Sequence, residues 1–296
     1  MGMHRVRRRW RLGVLTALSI RLGAVVAGAP AQAPVPPAAP VRSCAEMETF
    51  LKTARIGPQR DLPVGVTAPS RATLDDGSFQ HDAAIQTIDE RKTTFQGNRG
   101  MELNFRDSWQ FNVAGYELAK LLELNMVPPY VQRRVKNTDA SVTWWVNDAM
   151  MERDRVQKKL EPPEPRRWND EMLGARLFRE LIGDYDFNQT NTLITKDWRI
   201  WMIDFTRAFR LTKTLQYPDQ VSRADRTFLA NLRALNRDAM RAKLGKWLEN
   251  NLIDAVLARR DVLVGILDKH AAAKGEAAVL YDLPRVSEPC GTGLER

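Results

Sequence analysis

Three polar residues, Asp186, Asn191 and Asp204, constrain this chain more than any other feature. Asn191 follows Asp186 by five positions, and Asp204 closes the apolar run Trp201-Met202-Ile203. A carboxylate ending such a run is costly to bury unless it is hydrogen-bonded, paired or metal-bound. Thr192–Ile194 and Arg199–Ile203 read as short strands turning at Lys196-Asp197, so the spacing predicts a small hairpin that returns Asp204 towards the loop before it. Taken alone, Asp186 would be a loop acid near the turn at Gly183. Asp184, Asp186 and Asn188 also imitate the start of a calcium loop. That reading fails at its sixth and twelfth positions, where Gln189 and Thr195 replace the required Gly and Glu.

The 296 residues are 44% hydrophobic, enough for one large domain or two lobes. The net charge of +9 is unevenly placed. Residues 1–33 hold six arginines and no acid; subtracting these six from 45 basic residues leaves 39 against 36 acids, a net of +3. A basic footprint on the folded part is therefore weak, which argues against nucleic acid as a partner. Residues 1–33 read instead as an export signal: a cationic start, an apolar run interrupted by Arg21, and Ala31-Gln32-Ala33 as a cleavage site. The expectation is a periplasmic or secreted protein with no membrane span once cut; an uncleaved anchor is the alternative. Cys44 and Cys290, near the two ends of the mature chain, could form one disulfide in an oxidising compartment.

The rest divides into an Ala/Pro-rich linker (34–43), a first lobe (44–150), a charged Pro-containing connector (151–168) and a second lobe (169–296). In the first lobe, Cys44–Ile56 has helical periodicity. Val64–Val66, Ala72–Leu74 and Ala83–Ile88 read as strands, with an Asp76-Gly77 turn between the last two. Asp107–Leu124 is a long helix stopped by Pro128-Pro129, and Tyr130–Val135 and Val142–Val146 are further strands. In the second lobe, Asn169–Gly183 is a helix, and Arg223–Lys274 is helical throughout. The fold class expected is α+β and two-lobed: a strand-rich N-lobe with one long helix, and a mainly helical C-lobe. The mature chain has only His81 and His270, one in each lobe, and neither a GxxxxGK[ST] nor a GxGxxG loop. A Ser-His-Asp triad, a His-rich zinc site and these phosphate loops are thereby set aside.

With Met202-Ile203-Asp204-Phe205, Arg207-Ala208-Phe209 and the helix exit Tyr116…Leu122…Val127-Pro128, the chain resembles atypical kinases of the protein-kinase-like superfamily. These include phosphoinositide 3/4-kinases, HipA-type kinases and secretory-pathway kinases of the Golgi casein kinase type. It looks closest to exported bacterial members. The resemblance implies a two-lobed protein-kinase-like fold with ATP in the cleft and Mg²⁺ or Mn²⁺ on its phosphates. Asp186 matches the catalytic-loop aspartate that orients a hydroxyl acceptor. Asn191 and Asp204 match the metal ligands. Trp144-Trp145-Val146 falls at the hinge, which makes Trp145 an adenine contact. The strand position of the phosphate-clamping lysine holds Gln86, with Lys92 as a substitute just beyond. Its helix partner is Glu117, or Asn112 in another register. Phe187 stands where the family has a basic residue, and Thr190 where it has Gly. The implied activity is transfer of the ATP γ-phosphoryl group to a hydroxyl on a protein, lipid or small molecule. The alternative is a pseudokinase that binds nucleotide or metal, or acts as a scaffold, without turnover.

Overall fold

A computed structural model of the chain describes residues 42–62, 69–97, 100–185, 188–283. The leader, Val64–Val66, Asp186, Phe187 and Cys290 lie outside the described residues, as does the Cys44–Cys290 pairing. Among the described residues no helix is long and apolar enough to cross a membrane.

The first part opens with α1 (Cys44–Thr53), started by a Ser43–Glu46 capping box, and the short strands β1 (Arg55–Ile56) and β2 (Arg60–Asp61). Next come β3 (Ser70–Asp75) and β4 (Gln80–Gln86), joined by an Asp76-Gly77 turn in which Gly77 takes φ +91°. A hairpin of β5 (Asp89–Gly97) and β6 (Gly100–Ser108) precedes α2 (Trp109–Leu121), and β7 (Tyr130–Val135) and β8 (Thr138–Trp144) complete the part. The main sheet is antiparallel with the order β1-β3-β4-β8-β7, β2 pairing with β3. Alternating inward residues, among them Ala72, Leu74, Ala83, Ile85, Val131 and Val142, pack on Met47, Phe50 and Leu51 of α1. The β5–β6 hairpin was not legible at 100–108, and α2 begins at Trp109 rather than Asp107. Ser108 caps α2 by accepting from the Gln110 N–H, and residues before the cap take extended backbone as the second hairpin strand.

The second part starts with β9 (Met150–Met151) and α3 (Glu152–Gln157), so the expected connector is partly helical. Glu152, two bonds from Arg155, carries this short helix. It continues through α4 (Pro165–Ile182), β10 (Thr192–Ile194) and β11 (Ile200–Met202). After β12 (Ala224–Asp225) come α5 (Arg226–Ala234), α6 (Arg237–Leu244), α7 (Asn250–Lys274) and α8 (Glu276–Val279), with β13 (Leu280–Tyr281) pairing parallel to β12. β9, β10 and β11 form a three-stranded sheet. The two parts interlock: α2 joins the core built by α4 to α7, while Trp201 of β11 packs in the core of the main sheet. The architecture is mixed α/β, with an antiparallel N-lobe sheet and a helical C-terminal part, as the sequence pattern implied.

Two buried polar residues fix the lobes internally. Arg259 of α7 is wholly buried and donates to the carbonyls of Leu181, Arg210 (2.8 Å each) and Thr212. Burial pushes its guanidinium down to about 10. Gly183, at φ +64°, closes α4 against it; a Cβ there would lie 2.9 Å from Arg259 Cζ. Replacing Arg259 by Leu strands three carbonyls and should cost about 3 kcal/mol or more, read as a lower urea midpoint.

His81 stacks on Trp144 at 3.8 Å and its Nε2 bonds the Trp145 carbonyl at 2.9 Å. Burial holds its pKa below the ordinary 6.5, against the raising effect of that carbonyl. Folded His81 thus stays neutral where the unfolded chain already takes up a proton. Its contribution to stability is complete above pH 6.5 and is lost as pH falls below that value. Thermal melts between pH 7.5 and 5 should show this loss, and His81→Phe should flatten it.

Candidate active site

Asp204 stands just beyond β11 in the left-handed region, at φ +60°. A non-glycine residue holds that conformation only where its surroundings determine it, and here they do. Its N–H donates to Tyr130 Oη at 3.2 Å. Its Oδ1 accepts from Gln86 Nε2 at 3.3 Å and Thr206 Oγ1 at 3.1 Å. The next ring, Phe205, is buried against α2, where Gly115 makes room: a Cβ would come within 2.9 Å of Phe205 Cδ2. Phe178 of α4 meets the same ring edge-on at 6.0 Å.

Asn112, in the first turns of α2, is wholly buried. Its Oδ1 accepts from the Phe205 N–H at 2.7 Å, and its Nδ2 donates to Gln86 Oε1 at 2.5 Å and Ser141 Oγ at 3.1 Å. The backbone donor at Phe205 fixes which end of the Asn112 amide accepts. That in turn makes Gln86 Oε1 an acceptor and turns Gln86 Nε2 towards Asp204. A continuous path of hydrogen bonds therefore runs from the Phe205 N–H through the neutral amides of Asn112 and Gln86 and ends on the Asp204 carboxylate. Of the two helix positions considered, Asn112 faces Gln86. Glu117 does not: it lies beyond on α2, where Lys120 approaches its carboxylate at 3.4 Å.

The described residues on either side of 186–187 are tied down. Arg179 forms a buried ion pair with Asp184 and donates to the Asn191 carbonyl at 2.7 Å. The Ile203 N–H bonds the same carbonyl at 3.1 Å, which brings Asn191 beside the approach to Asp204. Thr190 Oγ1 meets Asn191 Oδ1 at 3.3 Å. Lys92 is on the β5–β6 hairpin, paired with Glu90 at 2.6 Å and over the stacked rings of Phe95 and Phe105. The described contacts do not bring it to Asp204. The Trp145 ring lies under Arg71, while the backbone N–H of Trp145 donates to the Asp82 carbonyl and its backbone carbonyl is taken by His81. On the far side, Glu102 of β6 binds both Arg207 and Arg210 just after Asp204.

Structure thus gathers Gln86, Asn191 and Asp204, leaves Glu117 and Lys92 outside the cluster, and adds Tyr130, Ser141, Thr206 and Arg179. None of these four has a local sequence signal, because each is defined by a partner far along the chain. Among the described residues no three His, Cys, Asp or Glu side chains group as a metal site.

No family model and no curated protein matches the sequence. Solved structures do resemble it. One is hydra Fam20 with sugar, at TM-score 0.60 and 12% identity over 81% of this chain and 92% of that one. Another is the Golgi casein kinase, at 0.57 and 13% over 81% and 80%. The same kinase with Mn/ADP bound gives 0.57 and 13% over 82% and 80%. The chain therefore has an atypical protein-kinase-like fold, shared with secretory-pathway kinases.

Asn112→Ala would leave the Phe205 N–H and Gln86 Oε1 unpaired in the interior. The expected cost is about 2–4 kcal/mol, with faster amide exchange at Phe205 than at Ile203.

Proposed function

We propose that the chain is a kinase-like phosphotransferase that uses ATP and a divalent cation to phosphorylate a hydroxyl acceptor. The observation that carries this is Asp204, a carboxylate held at φ +60° beside Asn191 and touched by two neutral donors, Gln86 and Thr206. Its negative charge meets no cation among its described contacts, and its oxygens, with the Asn191 amide, suit Mg²⁺ or Mn²⁺. Mn and ADP in the similar Golgi casein kinase support the same pairing here. Asp204 and Asn191 would hold the metal, whose chemistry is to neutralise charge on the transferring phosphoryl group. Asp186 would orient the acceptor hydroxyl and take its proton. Tyr130 and Thr206 keep the Asp204 carboxylate aimed, which is positioning of the kind that dominates phosphoryl transfer.

The reading extends to location and lobes. Residues 1–33 direct export, leaving 44–150 and 169–296 as the lobes around the cleft and 151–168 as their connector. Cys44 and Cys290 would pair after export, and Trp145 would contact adenine from the hinge. The acceptor is a protein, lipid or small molecule, not nucleic acid.

One observation favours a second reading. Gln86 and Asn112 form a neutral amide pair where the fold's phosphate clamp is an ion pair. A pseudokinase that binds Mn–nucleotide without turnover fits that substitution. Thermal shift with ATP and Mn²⁺ comes first: an upward shift in the wild type that Asp204→Ala loses is expected, and no shift defeats both readings. Release of γ-phosphate or autophosphorylation that drops at least about 100-fold in Asp186→Asn marks the enzyme. Binding without either marks the pseudokinase.

A further inference from the structure

Asp107, the penultimate residue of β6, is only 8% exposed, and its Oδ1 is buried with no hydrogen-bond partner. The Ser108 N–H donates to the Thr206 carbonyl at 2.8 Å, which sets the end of β6 directly against the residues following Asp204. The Thr206 hydroxyl bonds Asp204 Oδ1 and also serves Asp107. A hydroxyl has one proton, so it can donate to only one of two carboxylates at a time. Asp107 and Asp204 thus draw on the same hydroxyl proton, an arrangement that a shared cation would relieve. The neighbouring charges do not cancel this. Asp204 and Glu90, which faces Asp107 across the hairpin, both add negative potential, and Arg207 opposes them while also engaging Glu102.

We infer that Asp107 is a second carboxylate ligand of the divalent cation held by Asp204. The inference rests on the cleft being the metal–nucleotide site proposed above. Two protein carboxylates suit Mg²⁺ or Mn²⁺, which fill their remaining positions with phosphate oxygens and water. In this chain the helix position opposite Gln86 is the uncharged Asn112, so Asp107 supplies from the strand end the charge that α2 lacks.

The test is Mn²⁺ binding with ADP present, followed by the loss of the free-Mn²⁺ EPR signal and by thermal shift. Four proteins are compared: wild type, Asp204→Asn, Asp107→Asn and Glu90→Gln. Asp107→Asn should weaken Mn²⁺ binding roughly tenfold or more, while Glu90→Gln, which removes a nearby charge but no ligand, should change it far less. Asp107→Ser is the second variant if the amide fails to fold. Equal losses in Asp107→Asn and Glu90→Gln would reduce Asp107 to a source of field and overturn the inference. So would Asp107→Asn binding like wild type while Asp204→Asn does not bind. Failure of the wild type to bind Mn²⁺ would instead defeat the metal reading of the cleft itself.

Discussion

Everything around Asp204 depends on where Arg179 puts its guanidinium. One arm is buried against Asp184 and the other holds the Asn191 carbonyl, so a single planar group fixes both flanks of the loop that carries Asp186. The same group lies 5.5 Å from the Phe205 ring. Arginine suits this place because its donors diverge in a fixed plane and its weakly hydrated face tolerates an aromatic neighbour. A lysine has three donors on a single point but no planar fork to span Asp184 and the Asn191 carbonyl with a flat face to Phe205. The ion pair with Asp184 and the hydrogen bond to the Asn191 carbonyl offset the burial of the Arg179 charge, and together they tie α4 to the residues on either side of 186–187.

The N-lobe reaches the segment around Asp204 by two different kinds of contact. On the inner side the Asn112–Gln86 amide pair is short, neutral and buried. On the outer side Glu102 at the β5–β6 hairpin grips Arg207 and Arg210 through partly exposed ion pairs. The first is insensitive to salt and the second is not, because screening acts on exposed charges and spares buried dipoles. The segment after Asp204 is thus held by an inner attachment of constant strength and an outer one that weakens as ionic strength rises.

The β10–β11 hairpin and its terminal carboxylate were legible because an apolar run ending in Asp is a local pattern with a local cost. The Asp76-Gly77 turn was legible for a similar reason, as it requires a positive φ. The hairpin at 89–108 was not, since β5 is almost wholly exposed, β6 is buried only towards its end, and neither carries an alternating apolar face. Asn112 and Gln86 could be named as candidates, but their pairing is set by a backbone donor at Phe205, 93 positions from Asn112. Arg179 reads in sequence as one more charged residue on an amphipathic helix; only the folded chain shows it as buried. Long-range polar partners leave no periodicity, which is why the scaffold was readable and the wiring of the site was not.

The amide pair has a consequence for how this site tolerates substitution. A lysine at position 86 alone would place an ammonium against the Asn112 Nδ2 donors, and a glutamate at position 112 alone would bury an unpaired carboxylate and lose the donors to Gln86 and Ser141. Each single step is therefore unfavourable, although the double change would restore a charge pair. Conversion of this amide pair into a charge pair therefore takes two coordinated substitutions, and the hydrogen bonding of Asn112 opposes either one made alone.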